Sequence, residues 1–214
     1  MSYYFPEGSK FYYSTTFASA KTITALSNAV PAVASSTAHG FTDGDELLIG
    51  SGWDDVNDSV YKADQLTADT FSLVDLDTTD TDFFPIGTGI GTAKKISGWT
   101  EIPQILTIDN AGGGPKFGVV APLARRNAIN VPIGFEPESL TLTLGHDPAN
   151  ATYKAMLGIG RVRTKCAFKQ VVPGGLITYG YGYMITSPRA NMAAGQANTV
   201  KCALSILGTS MSYA

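Results

Sequence analysis

The chain has 214 residues, which is enough for one domain with a sizeable core or for a domain with a small insertion. Charged residues make up only 15% of it, and 15 basic against 18 acidic residues give a formal net charge of −3. There is no run of Lys or Arg, and because affinity for nucleic acid depends on cations that neutralise phosphates, this composition argues against tight DNA binding. A surface so poor in charge suits a subunit that buries much of itself against its own copies, and a secreted β protein would have a similar composition.

The N-terminal segment, residues 1–21, is rich in aromatic side chains, at Tyr3-Tyr4-Phe5 and at Phe11-Tyr12-Tyr13. Stacking on nucleobases would need cations alongside, but only Lys10 lies near these aromatics, so we expect an arm that packs against a neighbouring subunit. The segment begins without the basic and apolar regions of a secretion signal, and no stretch approaches the roughly 18 apolar residues of a membrane span. We therefore expect synthesis in a cytosol and no membrane association.

Residues 22–96 have the pattern of a separate small β module. Apolar segments broken by turns such as Asp43-Gly44-Asp45 predict short strands near residues 32–36, 46–49, 60–63, 70–74 and 92–96. Most of the acid of the chain lies here, at Asp54, Asp55, Asp58, Asp75, Asp77, Asp80 and Asp82, whereas the segment after Gly98 is basic. This asymmetry predicts an insertion with its own core between the arm (residues 1–21) and a main domain (residues 97–214).

The main domain is predicted to consist of strands that alternate between an apolar and a polar face. Period-two alternation predicts strands at residues 139–144, 164–172, 176–186 and 199–207. Gly180 and Gly182 would weaken their strand unless another backbone approaches closely or the strand bends. Cys166 and Cys202 fall on the apolar phase of their strands, which favours reduced core thiols over a disulfide or a metal site.

One helix is predicted over about residues 148–160, with Asp147 as its N-cap and Pro148 at its first position. Tyr153, Met156, Leu157 and Gly160 recur at helical spacing. We expect this stripe to pack on the sheet as ordinary core and not to form a binding groove.

Residue patterns of the common catalytic and ligand sites are missing from the sequence. The two histidines, His39 and His146, lie beside a predicted turn and a predicted helix cap, where a local structural role outweighs a catalytic one. The glycine-rich stretches 87–91 and 112–115 lack the dinucleotide and phosphate-loop signatures, and the acidic run 75–82 lacks the EF-hand order, which favours a solvated loop over a Ca²⁺ site. We nominate no catalytic, cofactor-binding or metal-binding residue, and we expect a protein that is not an enzyme.

Several segments in fixed order carry a family resemblance. They are Tyr4-Phe5-Pro6-Glu7-Gly8-Ser9-Lys10, Ser97-Gly98-Trp99-Thr100-Glu101-Ile102, Pro122-Leu123-Ala124-Arg125-Arg126-Asn127, the Leu/Thr strand that ends in Gly145-His146-Asp147-Pro148, and Gly195-Gln196-Ala197-Asn198-Thr199. Together they resemble the major tail tube proteins of long-tailed, siphovirus-like bacteriophages. Residues 22–96, with His39-Gly40-Phe41 and Thr70-Phe71-Ser72-Leu73, resemble a small β module inserted in several phage structural proteins, similar in shape alone to the first catalytic-cysteine half-domain of ubiquitin-activating enzymes.

The resemblance implies a mainly β, ring-forming fold: a tail-tube β-sandwich with one flanking α-helix and an inserted small β-barrel-like module on the tube exterior. It implies stacked hexameric rings in the virion, assembled in the host cytoplasm, whose channel passes DNA without binding it specifically. The formal charge would be −18 per ring (6 × −3), and we expect acidic or neutral polar residues in the lumen. Implied partners are other copies of the chain, a tape measure protein, a tail terminator and baseplate or distal tail proteins.

Strands with one apolar and one polar or charged face, such as 139–144 and 164–172, are candidates to face that lumen. Ring stacking is expected to use the arm, the Gly112–Lys116 hairpin region and the Pro188–Gln196 loop, and deletion of the arm is expected to leave a folded monomer that polymerises poorly. The alternative is a carbohydrate- or surface-binding β-sandwich module of a virion decoration or fibre protein. That alternative predicts a monomer or small oligomer with a cluster of exposed aromatic residues.

Overall fold

The structure, a computed structural model, describes residues 7–124 and 126–214. This part of the chain is mainly β with one helix, as the sequence predicts. The strands are β1 (Lys10–Ser14), β2 (Lys21–Ile23), β3 (Ala25–Leu26), β4 (Ala32–Ser35), β5 (Glu46–Ser51), β6 (Ser59–Gln65), β7 (Thr70–Leu73), β8 (Gly91–Lys95), β9 (Thr100–Glu101), β10 (Ile105–Ala111), β11 (Pro115–Val120), β12 (Ile129–Phe135), β13 (Ser139–Gly145), β14 (Lys165–Val171), β15 (Ile177–Thr186), β16 (Thr199–Ile206) and β17 (Met211–Tyr213), and the helix is α1 (Ala151–Val162).

Eight strands form one antiparallel sheet, called the large sheet, in the order β10-β13-β16-β15-β14-β1-β9, with β17 paired to β15. The sheet folds over, so that β13 and β16 lie across a shared core from β1 and β14. The two layers of the predicted sandwich are therefore parts of a single sheet. The buried residues of this core are Phe11, Tyr13, Ile102, Leu142, Leu144, Tyr153, Met156, Cys166, Phe168, Met184, Val200, Cys202, Leu204 and Ile206.

The strands predicted for the main domain are confirmed by β13, β14, β15 and β16. In β16, Val200, Cys202, Leu204 and Ile206 are buried while the intervening residues are exposed, because successive side chains point to opposite faces. A Cβ at Gly182 would collide with the backbone carbonyl of Ser205 in β16, so close approach of a neighbouring strand accounts for this glycine.

Both cysteines are free and buried, which confirms the prediction of reduced core thiols. Burial, and then the neighbouring Cys202 thiol, raise the pKa of Cys166 to about 12. Burial raises the pKa of Cys202 to about 11. Because the thiolate is the reactive form of cysteine, both side chains act as small apolar residues at neutral pH.

The helix begins later than predicted, and the prediction that Asp147 is its N-cap is wrong. Its N-cap is Asn150, whose Oδ1 accepts hydrogen bonds from the N–H groups of Thr152 (2.8 Å) and Tyr153 (3.2 Å). Asp147 instead accepts from the Ala149 N–H (2.9 Å) in the preceding turn. Two successive Asx-type turns fit this sequence, and local spacing does not tell which of them opens the helix.

Packing of the helix stripe on the large sheet is confirmed. Tyr153 and Met156 are buried, and Leu157 packs on the same core. The Tyr153 hydroxyl donates to the Ser187 carbonyl (3.1 Å), which ties the helix to the end of β15. Within the described residues, no helix is long and apolar enough to cross a membrane.

Strands β2–β8 form a second antiparallel sheet, in the order β2-β8-β5-β6-β7-β4-β3. Its two end strands are separated only by Thr24, whose N–H donates to the Ser35 carbonyl (2.9 Å), so the sheet closes into a barrel. We call it the small barrel (residues 21–95). Its buried core consists of Ile23, Leu26, Ala32, Ala34, Phe41, Leu47, Ile49, Trp53, Val56, Tyr61, Ala63, Phe71, Leu73, Leu76 and Ala93. The five strands predicted within residues 22–96 are confirmed by β4–β8.

Candidate assembly surfaces

A two-stranded ribbon, residues 115–135, leaves the large sheet with both of its faces open to solvent. β11 and β12 pair with each other, and nearly every residue in them is exposed. The exposed apolar side chains of the ribbon, with their exposed fractions, are Phe117 54%, Val119 72%, Val120 47%, Ile129 37%, Val131 39%, Ile133 61% and Phe135 80%. An isolated two-stranded hairpin is at best marginally stable in water, so this ribbon has the character of a surface that another molecule covers.

The base of the ribbon fixes its direction relative to the large sheet. Gly112 has a φ of +83°, and a Cβ there would collide with the Pro137 carbonyl oxygen. Hydrogen bonds continue the pairing of β10 with β13 into the ribbon: Gly113 N–H to the Glu136 carbonyl (3.1 Å) and Glu136 N–H to the Gly114 carbonyl (2.8 Å). The ribbon is therefore an extension of the β10–β13 pair and not a freely hinged loop.

A groove of about 770 Å³ opens into the core of the large sheet, between the edge strand β10 and strands β1, β14 and β15. Its lining is mixed: strand residues such as Phe11, Leu106, Ile108, Leu140, Phe168 and Ile206 are apolar, and Ser9, Asn110, Gln170, Thr178, Ser210 and Ser212 are polar. Among the described lining residues the one ionisable carboxylate is that of Glu138, which accepts a hydrogen bond from the Ser210 hydroxyl (2.5 Å). At about 30 Å³ each, roughly 25 water molecules would fill this volume, so the core is open on this side.

The outward face of β10, β13 and β16 is polar, and we call it the polar face. Its side chains are Thr107, Asp109, Thr141, Thr143, Lys201 and Ser205. Cross-strand pairing aligns Thr107 with Thr143 and Thr143 with Lys201. Every one of these residues is exposed or half-buried, so the face meets solvent in the single chain.

The corresponding face of β14 is covered by the small barrel, so the expectation that strand 164–172 faces a lumen is wrong. Lys165 Nζ lies 3.1 Å from a carboxylate oxygen of Asp58, and Lys169 Nζ lies 2.7 Å from one of Glu46. Ala167, between the two lysines, is fully buried in a cluster that includes Leu48 and Val60 of the barrel. The lysines that alternate along β14 therefore form ion pairs with the small barrel of the same chain.

Glu46 is the centre of this interface. Its carboxylate accepts hydrogen bonds from Lys169 (2.7 Å), from the Tyr179 hydroxyl (2.6 Å) and from the Trp99 indole N–H. The Lys169 ammonium also lies 5.3 Å from the centre of the Trp99 ring, within the range of a cation–π interaction. Burial first, and then the hydrogen bond to Glu46, raise the pKa of Tyr179 above its usual value, so the hydroxyl remains a donor.

Residues 207–213, called the C-terminal strap, also hold the small barrel. A Cβ at Gly208 would collide with the Asp58 carbonyl and the Ser59 hydroxyl, and the Thr209 N–H donates to that hydroxyl (2.8 Å). The Tyr213 hydroxyl accepts from the Lys62 N–H and donates to the Val74 carbonyl, both at 3.2 Å. Since β17 is paired with β15, the strap joins the barrel to the large sheet.

The three segments expected to order on assembly have different structures. Within the arm, Tyr3-Tyr4-Phe5 lies outside the described residues. Strand β1, which also belongs to the arm, is an inner strand between β14 and β9, and its Phe11 and Tyr13 are only 2% and 5% exposed. Deletion of the whole arm would remove this inner strand and open the core, which argues against the expectation that it leaves a folded monomer. The Gly112–Lys116 region is the base of the ribbon and not a hairpin turn. The Pro188–Gln196 loop is largely exposed, with Met192 74% exposed.

Both histidines take part in local structure. His39 is buried, its Nδ1 accepts from the Phe41 N–H (2.9 Å), and its Nε2 lies 3.0 Å from the Thr67 carbonyl. His146 lies edge-on to the Tyr153 ring, with 5.5 Å between ring centres.

In the acidic loop, residues 75–82, Asp77 accepts hydrogen bonds from the hydroxyl and the N–H of Thr79, and these two hydrogen bonds lower the pKa of Asp77. In the described residues, no three His, Cys, Asp or Glu side chains gather in a way that would hold a metal.

The ribbon and the groove were missed by sequence reasoning. Residues 129, 131, 133 and 135 alternate Ile, Val, Ile and Phe, a period-two signal for β12, but Pro132 and Gly134 interrupt it. No sequence signal exists for the groove, because its lining comes from seven strands and three segments outside them.

A family model described as "Phage tail tube protein, TTP" matches residues 51–214, which is more than half of the chain. Among solved structures, the chain is similar to the SPP1 tail tube determined by solid-state NMR and cryo-EM, with a TM-score of 0.43, 13% sequence identity, and coverage of 54% of this chain and 68% of that one. No curated protein matches the sequence.

Proposed function

Because this chain belongs to the phage tail tube protein family, we propose that it assembles into stacked hexameric rings whose central channel carries the viral DNA. The structural observation that best supports this proposal is the ribbon, because its apolar side chains are exposed to solvent in the single chain. Among the described residues, the edge strand β10 is hydrogen-bonded to β13 alone and leaves its other side unpaired. Closing such edges across subunits removes unpaired backbone groups and favours a cylinder over a solitary subunit.

The polar face is the surface we assign to the channel. Its hydroxyls offer weak, neutral contacts, and Asp109 and Lys201 contribute one charge of each sign per subunit. A bore dense in cations would bind phosphates and slow the DNA, since each phosphate contact adds affinity. The hydroxyl-rich composition of this face supports transit without specific binding.

The small barrel then lies on the tube exterior. It covers β14 and β15, on the side of the folded sheet opposite β10 and β13. We assign residues 22–96 to an inserted module, residues 97–214 to the main tube domain, and residues 1–21 to an arm that includes the first strand. The closed barrel with its own core supports this division.

The proposed role is structural and involves no enzymatic activity. The subunit would be assembled in the host cytoplasm and become part of the virion tail. A tube of this kind needs a protein that sets its length and proteins that close its two ends, which are the tape measure, terminator and distal tail partners expected from the family resemblance.

Electron microscopy of the purified full-length chain tests the proposal. We expect rings or tubes with a central channel, growing with protein concentration, and a reconstruction in which Thr141, Thr143 and Lys201 face the bore. A chain that stays monomeric at all concentrations and salt conditions would contradict the tube assignment. Rings with the small barrel in the bore would contradict the assignment of the polar face while leaving the tube itself standing.

A further inference from the structure

The ribbon and the groove are complementary surfaces. The ribbon exposes apolar side chains that pack against no core, and the groove is a gap in a core that no side chain of the same chain fills. Pairing places Val120 opposite Ile129 and Gly118 opposite Val131, so one ribbon face carries Val120, Ile129 and Val131 together. This aliphatic face matches the apolar lining of the groove at Leu106, Ile108 and Leu140.

Charge is also complementary between the two surfaces. The ribbon carries Lys116, and the turn between its strands carries Arg126, both exposed. Glu138, in the segment before β13, lines the groove. Burying apolar surface supplies the affinity of such a contact, while opposite charges at its rim favour the correct orientation.

A ribbon does not reach the groove of its own chain. Its base is held by the hydrogen bonds of Gly113 and Glu136 and by the close contact of Gly112 with Pro137, so the strands continue along the direction of β10 and β13. Asn110 and Glu138, just before and just after the ribbon in sequence, already line the groove. Folding back would require a sharp reversal within the three residues 112–114 and the loss of both hydrogen bonds.

We propose that the ribbon of one copy docks in the groove of another copy of this chain and completes its core. This inference rests on the proposed function and names the contact that joins subunits. Ribbon and groove are different surfaces, so every copy both donates and accepts, and the contact is heterologous. Heterologous contacts propagate into rings or filaments instead of stopping at a dimer, as a tube requires.

Two variants test the docking, one with a disrupted ribbon and one with a disrupted groove. Val131→Asp places a charge on the aliphatic face of the ribbon, and Leu106→Lys places a charge in the apolar lining of the groove. Both residues are exposed in the single chain, 39% for Val131 and 59% for Leu106, so both variants should fold. Asn110→Trp is a second groove variant that fills the space sterically. Circular dichroism and thermal unfolding verify the fold of each.

We expect each variant alone to remain monomeric in size-exclusion chromatography with light scattering. An equimolar mixture of Val131→Asp and Leu106→Lys should form a heterodimer, because the intact ribbon of one meets the intact groove of the other. Leu66→Asp, a matched change at a residue of the small barrel that is 51% exposed, should assemble like the wild type.

The outcomes separate the pairing from the proposed function. If the wild type assembles but Val131→Asp assembles equally well, or the mixture yields no heterodimer, the docking proposal is wrong and the tube assignment stands. If the wild type itself forms no rings or tubes, the tube assignment fails. A heterodimer formed by Val131→Asp with Asn110→Trp as well as with Leu106→Lys would confirm the groove as the acceptor.

Discussion

The Lys169 ammonium lies 2.7 Å from Oε1 of Glu46, and this ion pair joins the large sheet to the small barrel across 123 residues of sequence. Only 20% of the Lys169 side chain and 16% of the Glu46 side chain are exposed. The pair is therefore shielded from solvent, unlike the Lys10–Glu101 pair, whose side chains are 53% and 48% exposed. The small barrel and the large sheet are consequently held together by a polar contact that is costly to disrupt.

Glu46→Gln should destabilise the protein by about 3 kcal/mol, because it leaves the Lys169 charge shielded and unpaired. The free energy of unfolding from urea titration measures this. The double variant Glu46→Gln with Lys169→Met should recover part of the loss, since neither charge remains. Glu101→Gln, in the exposed pair, is the matched control and should cost about 0–1 kcal/mol. Equal losses at Glu46 and Glu101 would show that the interface contact does not stabilise the fold.

Asp45 should make stability depend on pH in the acid range. Burial alone would raise its pKa, but hydrogen bonds from Lys95 and Thr42 and the Lys95 charge, 2.6 Å away, outweigh burial and leave the pKa below its usual value. A carboxyl with a lowered folded-state pKa adds stability above its unfolded pKa of about 4, and that stability is lost as the pH falls through the folded value. Asp45→Asn should therefore flatten the pH dependence of the unfolding free energy below about pH 4. Asp64→Asn, at an exposed position, is the control; an unchanged slope for Asp45→Asn would contradict the assignment.

Asn150→Ala should destabilise the protein by about 1 kcal/mol, because it removes the acceptor for two N–H groups at the start of α1. Asp147→Ala removes only the bond to Ala149, outside the helix, and should cost less. Thermal unfolding of the two variants compares them directly. A larger loss for Asp147→Ala would restore Asp147 as the effective cap.

Deletion of residues 1–14 should abolish folding, because it removes β1 from between β14 and β9 and opens the core at Phe11 and Tyr13. Deletion of residues 1–6 leaves β1 intact and should give a folded chain. Far-ultraviolet circular dichroism and the cooperativity of urea unfolding distinguish the two. A cooperatively folded chain lacking residues 1–14 would mean that the large sheet does not depend on β1.

Local patterns predicted much of the fold. The leucines of β13, the alternation in β16, the cysteines and the helix stripe were all predicted from period-two or helical spacing, because the side-chain direction of a strand or helix repeats along the chain. Period-two alternation also predicted the polar face of β14 correctly. The expectation that this face meets a solvent-filled lumen was wrong, because the small barrel covers it. The alternation of Lys165 and Lys169 is the same whether water or a carboxylate lies opposite.

By itself, then, the sequence determined the mainly β class, the faces of the principal strands, the amphipathic helix near residues 148–160 and the resemblance to tail tube proteins. Only the tertiary structure decided that β1 belongs to the core, that the barrel covers β14 and β15, and that an apolar ribbon and an open groove coexist in one chain. The physical reason is the range of the contacts. Spacing along the chain sets which way a side chain points, whereas Glu46 meets Lys169, and Phe11 meets Phe168, only after distant strands have been brought together.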